Sequence, residues 1–264
     1  MVPEAPHKTQ SLTGLPAPLG LVPHPAFQYD APAGVGKNGT MAERKAKAAS
    51  VKARPAKAVA TGGRRERGEE STQRIIDATI DLIADEGLAG LTMQRIATQA
   101  GATNALVVFY FQSKENLFRA VLQYLSDRYD ELWAELVRAP DASPVQRLTG
   151  AVECAREFAR RHPKWVSVLV VFSSDRKSMQ LYHKIGLPHD LAYNAESSAL
   201  IAEIARSGGY RHVNPEMLSE GLNYLIQGAW FWDHLNPAGA NPEVLRRTAM
   251  VLLHQAFPRH FALE

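Results

Sequence analysis

From Ser71 onward, apolar residues recur at three- and four-residue steps in one stretch after another, a period that admits helices and little else. Ile75, Ile76, Thr79, Leu82 and Ile83 form the first stripe and predict a helix over 71–86, closed by Gly87. Thr92 is placed to cap a short helix over 93–99 that buries Met93, Ile96 and Ala97. Gly101 breaks it, Thr103 can cap the next helix over 104–110, and Ser113 can cap a long one over 114–138. Further helices are predicted over 143–161, 163–173, 177–206, 215–235 and 242–257, divided at Pro163, Gly208-Gly209, Pro215, Pro237 and Pro242. Residues 165–172 (WVSVLVVF) have the β-branched composition of a strand. No second strand is evident to pair with them, so they are read as a buried helix, and the expected fold class is all-α.

Charge divides the 264 residues unevenly. Residues 1–68 hold eleven Lys and Arg against four Asp and Glu, a net +7, and the remainder holds nineteen against twenty-three, a net −4. Half of the sixteen prolines precede residue 60, and 3–35 have no helical or strand period, so residues 1–68 are expected to be a disordered extension. Nine Lys and Arg fall within 41–67, a composition suited either to a solvated tail or to an arm lying along phosphates. Met41, which opens that stretch, is a candidate alternative start. No run approaches the ~18 apolar residues of a membrane span. The single cysteine, Cys154, excludes an internal disulfide and fits a reducing compartment. A cytoplasmic location, in or beside the nucleoid, is expected.

The stretch 92–111, TMQRIATQAGATNALVVFYF, reads as a short helix, a turn containing Gly and a second short helix, the layout of a helix-turn-helix. Such a second helix fits a major groove while the first braces it. Ile96, Ala97, Leu106 and Val107 would fix the angle between the two. Thr103, Asn104 and Ala105 leave the second helix's N-terminus open to phosphates and base edges, and Phe109 and Tyr110 sit at its far end. Two short helices joined by Gly also occur with no DNA in view.

Residues 72–118 resemble the DNA-binding domain of the TetR family of bacterial transcription regulators. The resemblance is carried by Ile75-Ile76-Asp77-Ala78, Gly87, Thr92, Ile96-Ala97, Ala100-Gly101, Tyr110-Phe111 and Ser113-Lys114-Glu115-x-Leu117. It implies phosphate contacts at Thr92 and Lys114, and groove reading by Thr103, Asn104, Ala105, Phe109 and Tyr110. Two departures stand out. Where many members have Gly-Thr-Leu-Tyr, this chain has Ala105-Leu106-Val107-Val108, and its reading helix has no Lys or Arg. More electrostatic work then falls to Lys114, Arg95 and the arm at Arg64, Arg65 and Arg67. The pattern is closer to the choline-responsive, BetI-like branch than to the family average, and Trp165-x-x-x-Leu169-x-x-Phe172 and Gly221-Leu222-x-x-Leu225-Ile226-x-Gly228-x-Trp230 resemble that branch's effector domain.

The resemblance implies a three-helix reading domain over 69–129 and a helical effector-binding and dimerisation domain over 130–264. Two stripes are candidates for pairing with a twin subunit, Leu218, Leu222, Leu225, Ile226 and Ala229 and then Leu245, Ala249, Leu252 and Leu253. Candidate effector residues are Trp165, Phe172, Tyr182, Asn223, Gln227 and Trp230, with Asp175, Asp190 or Asp233 nearby. Rings of this kind can cage a quaternary ammonium, or simply fill a core. Neither metal nor cofactor is expected, because His183, His189 and His234 show no ligand pairing. No nucleophile elbow, phosphate loop or Cys–His pair points to an enzyme. The expected partners are an operator duplex, a second copy of the chain and a small-molecule effector, with no membrane. The function expected is a homodimeric repressor released by its effector. The alternative is a ligand-independent DNA-binding protein whose pocket has collapsed.

Overall fold

The computed structural model describes residues 62–262; the proline-rich and basic segment before them lies outside the described residues. The described residues form α1 (Gly62–Glu86), α2 (Met93–Gln99), α3 (Asn104–Phe111), α4 (Lys114–Val137), α5 (Pro144–Arg161), α6 (Pro163–Ser174), α7 (Met179–Gly208), α8 (Pro215–Leu235) and α9 (Pro242–Ala256), with no strand among them. Side-chain caps start most of these helices. The hydroxyls of Thr92, Thr103 and Ser113 accept from the backbone N–H groups of Arg95, Leu106 and Asn116, and Ser143 forms a reciprocal box with Gln146. Pro opens α5, α6, α8 and α9, where its missing N–H leaves nothing unsatisfied.

α1 begins at Gly62, inside the segment expected to be disordered. The added turns (GGRRERGEE) carry no apolar stripe, so periodicity has nothing to register there. Ser71 marks no boundary, because its hydroxyl donates to the Arg67 carbonyl one turn back. α6 is the helix read from the strand-like WVSVLVVF. Val166, Val168, Val170 and Phe172 are all buried, because α1, α5, α7 and α8 wall it on every side.

α4 belongs to two cores. Its first half, with Leu117, Phe118, Val121 and Leu122, packs with α1, α2, α3 and part of α6. Its second half, with Trp133 and Val137, packs with α5, α7, α8 and α9. The two stripes expected to pair with a twin subunit turn inward instead. Leu222, Leu245, Ala249 and Leu253 are buried, and Leu218 and Leu225 pack beside them. Of those residues Leu252 alone counts among the exposed large hydrophobics. Both faces of α8 are apolar, and the chain spends one of them on its own core. The face left exposed carries Met217, Tyr224, Phe231, Trp232 and Leu235, with Val244, Val251 and Leu252 on α9, and Gly221 and Gly228 lie on the exposed side of α8.

Candidate nucleic-acid interface and internal cavity

α3 is held from behind and bare in front. Val107 and Phe111 are buried against Ile96, Ala97 and the helices of the first core. Thr103, Asn104 and Ala105 are exposed at its N-terminus, and Phe109 is 75% exposed at its other end. Tyr110 differs from its neighbour. It is half-buried, edge-on to Phe109 with ring centroids 5.3 Å apart, and its hydroxyl reaches toward Gly68 of α1.

Basic side chains flank this face. Arg95 is exposed on α2 and ion-paired with Glu86 of α1. The Lys114 ammonium donates to the Leu91 carbonyl at 3.1 Å and sits 5.6 Å from the Phe118 ring centroid, so it also ties the start of α4 to the segment before α2. Thr92 is exposed beside it. Arg67 is exposed on the first turns of α1, and Arg64 and Arg65 fall in the same turns with side chains outside the described residues. Sequence reasoning gave no weight to Gln112. It joins α3 to α4 at φ 64° and ψ −39°, in a tight turn where the Ser113 N–H donates to the Phe111 carbonyl at 2.7 Å. That angle is unusual for a side-chain-bearing residue, and with Gly absent the sequence offers no signal for it.

In the second core, α4, α5, α6, α7 and α8 enclose a cavity of about 100 Å³. That is room for several waters or a small organic molecule. Of the candidate effector residues, Tyr182, Asn223, Gln227 and Trp230 line it. Trp165 and Phe172 do not. Phe172 is fully buried edge-on to Phe118 at 5.5 Å, joining α6 to α4, and Trp165 stacks on His162 at 3.6 Å. Asp175, at the end of α6, accepts from the Ser178 N–H at 2.9 Å and is not on the wall, and neither is Asp233.

The wall also carries Tyr129 and Trp133, which sequence reasoning passed over. Tyr129 and Trp133 stand one turn apart on α4, with His189 and Tyr193 on α7. The spacing of Tyr129 and Trp133 was the available signal. Around Tyr129, the rings of Tyr193, Phe158, Trp230 and Trp133 lie with centroids 5.1, 5.0, 6.0 and 6.3 Å away. Asp190 is the wall's acid. Tyr182 donates its hydroxyl to it, burial raises the carboxyl above the ordinary aspartate range, and no Lys or Arg lines the cavity. Outside the wall, Asp130 accepts from Tyr193 at 2.7 Å and lies 3.0 Å from the His189 ring. Trp133 donates its indole N–H to Glu196 at 3.0 Å, and Arg138 and Arg147 grip the same carboxylate. The Trp230 indole N–H, by contrast, is buried without an acceptor among the described residues. Cys154, next to Tyr129, is fully buried, and burial pushes its thiol up to about 12, where it is inert.

The geometry of α2 and α3 has counterparts among known proteins. Residues 75–121 match the family described as bacterial regulatory proteins, tetR family. The chain carries a TetR-family DNA-binding domain. Beyond that domain the likeness thins. The chain is 30% identical over 109 residues to the HTH-type transcriptional repressor NicS of Pseudomonas putida, a match covering 41% of this chain and 51% of NicS, so it spans about half the length of that relative. It is 27% identical over 171 residues to the HTH-type transcriptional regulator BetI of Serratia proteamaculans, covering 64% of this chain and 83% of BetI. These relatives are transcriptional regulators, not enzymes. A TetR transcription regulator from Haloarcula marismortui has the same fold, with a TM-score of 0.61 at 23% identity over 74% of this chain and 100% of that one. So has a transcriptional regulator from Saccharomonospora viridis in complex with choline, with a TM-score of 0.58 at 18% identity over 70% and 96%. No helix among the described residues is long and apolar enough to cross a membrane.

Proposed function

We propose that this TetR-family chain is a homodimeric transcriptional repressor that binds an operator through α3 and leaves it when a small organic cation enters the cavity. The observation that carries the reading is the asymmetry of α3. Its inner side is locked by Val107 and Phe111, while Thr103, Asn104, Ala105 and Phe109 face solvent with nothing among the described residues to cover them. A rigid helix with one bare face at the right scale is what a major groove accepts. Thr92, Arg95, Lys114 and Arg67 supply the phosphate side of the contact, joined by Arg64 and Arg65.

Two copies are needed for two half-sites, and a second copy of this chain is the partner that fits the bare apolar face of α8 and α9. An exposed apolar patch of that size on an otherwise charged surface marks an interface. The effector acts only through a difference. It must bind the spacing of reading heads that misfits DNA better than the one that fits, by ~1–3 kcal/mol in typical regulators. α4 runs from the reading head to the cavity wall, so a tilt of this helix transmits the difference. A quaternary ammonium such as choline suits a wall of aromatic rings with one acid and no base. The competing reading, a ligand-independent protein with a collapsed pocket, is disfavoured by the space that remains around Asp190 and Trp230.

Footprinting on the DNA flanking the protein's own gene tests the reading. The expected result is a protected inverted repeat with half-sites whole helical turns apart, lost on adding millimolar choline. Indifference to every fragment in low-salt buffer overturns it.

A further inference from the structure

α8 gives residues to two surfaces, and one residue belongs to both. Asn223 and Trp230 stand on the cavity wall, while Tyr224 and Phe231 stand on the bare outer face. Gln227 lies one helical turn from all four, after Asn223 and Tyr224 and before Trp230 and Phe231. It lines the cavity and is also exposed, whereas every other wall residue is buried or half-buried. The mouth of the cavity therefore lies at Gln227, beside the bare rings of Tyr224 and Phe231.

This border has the character of a surface that meets its own copy. Gly228, next to Gln227, has open space where a side chain would stand, so another helix can approach closely. Opposite charges are divided between the two helices of the bare face. Glu220 is exposed on α8 and accepts from the Tyr224 hydroxyl at 2.6 Å, and Arg247 is exposed on α9 one turn from both Val244 and Val251. A two-fold axis that lays α8 of one copy across α9 of the other answers both charges by one contact made twice.

We infer that the cavity opens into the contact between the two copies, so that each subunit roofs its partner's effector site. The inference rests on the reading of the bare face as the dimer contact. The amides of Asn223 and Gln227 stand at the edge of the roof, where interfaces place their hydrogen bonds. A ligand in a roofed cavity exchanges only when the contact loosens at Gln227. Effector and second copy are then coupled, each changing the other's affinity by the same factor.

Thiol labelling of the full-length protein tests the roof. Gln227→Cys puts a reactive thiol at the mouth, and Ala134→Cys, exposed on α4, gives the rate for an open helical surface. The native Cys154 is fully buried and stays silent. Modification by N-ethylmaleimide is followed by intact mass at a concentration where sedimentation shows the dimer. Gln227→Cys is expected to react more slowly than Ala134→Cys by about tenfold or more, as befits a site that must first open locally. Adding Val244→Arg and Val251→Arg, at exposed positions of α9 off the cavity wall, is expected to give a monomer in which the two rates are equal. Equal rates within the dimer overturn the inference and leave both the dimer and the effector reading in place. Slow reaction in dimer and monomer alike also overturns it, because the chain itself then shields the position. Wild-type protein that sediments as a monomer at micromolar concentration overturns the dimer reading and the inference with it.

Discussion

Lys164 of α6 reaches across to Asp81 of α1, with its ammonium 2.9 Å from one carboxylate oxygen and 3.0 Å from Asp85 one turn on. α6 also carries Leu169, Val170 and Ser173 on the cavity wall, so one helix touches both the cavity and the reading head. All three charged groups are about half exposed, which limits the clamp to under ~1 kcal/mol. Lys164→Ala is expected to weaken operator binding by no more than about fivefold in low salt, because a looser α1 presents the reading head less well. In fluorescence anisotropy the gap between variant and wild type should close by about 0.5 M salt, where exposed charges are screened. A gap that persists at high salt would show that the lysine acts by packing rather than charge.

Reading and holding are separable on α2 and α3. Phe109→Ala removes an exposed ring and is expected to change stability by less than ~0.5 kcal/mol while relaxing sequence preference. Asn104→Ala should behave in the same way. Ile96→Ala opens a cavity in a fully buried position and is expected to cost about 2–5 kcal/mol, losing DNA binding through unfolding. Lys114→Ala should weaken all DNA about equally and lower the salt slope. Thermal melts beside operator and random-duplex titrations distinguish the three behaviours.

Gln112 holds a backbone angle that costs ~1–3 kcal/mol for a residue with a side chain. Gln112→Gly removes that strain and adds chain entropy to the unfolded state, so a net gain of up to ~1 kcal/mol is expected, or about 2–4 °C in Tm. Gln112→Val places a β-branched side chain at the same angle and should lower Tm instead. A valine variant as stable as the wild type would show that the turn relaxes freely.

These sites differ in how far the sequence announces them. Thr92, Thr103, Ser113 and Ser143 announce their helices because a cap is local chemistry, an oxygen one turn from a free N–H. The bare side of α3 was legible too, since Thr, Asn and Ala precede a run whose buried members are spaced by one turn. The outer face of α8 was not. Leu222 and Tyr224 both sit in apolar company, and only the packing of α6, α7 and α9 against α8 decides which turns inward. Phe172 and Tyr182 looked alike as aromatic candidates, yet Phe118 claims the first while the second meets Asp190. Asp190 and Trp230 lie forty residues apart, and their meeting on one wall is a tertiary fact.

Glu157 on α5 accepts from Arg160 and Arg161 and pairs with Arg156, and the hydrogen bond from Arg160 leads in lowering its carboxyl to about 2. Its folded pKa is depressed, so its contribution is fully present above the ordinary glutamate range, near 4.5, and drains as pH falls from there toward 2. Glu157→Gln is expected to lower stability by about 1 kcal/mol at pH 7 and to flatten the fall in Tm between pH 4.5 and 2. Parallel slopes for the two proteins across that window would show that other carboxylates govern the acid limb.

The last prediction concerns the face of α8 and α9 that the chain leaves bare. Tyr224 is 68% exposed and Val251 is 44% exposed, and neither helps hold the monomer's core. Tyr224→Arg combined with Val251→Arg sets like charges on a surface that a two-fold axis brings against itself, so the repulsion acts on both sides of the contact. The double variant is expected to keep its helical signal and to sediment as a monomer at micromolar concentration. Operator affinity should fall by about 10²–10⁴, the advantage that linking two half-site contacts confers. Binding to a single half-site in low salt should be unchanged, because α3 and its phosphate contacts are untouched. A dimer that survives both substitutions would place the interface elsewhere on the chain and leave the bare face to a different partner.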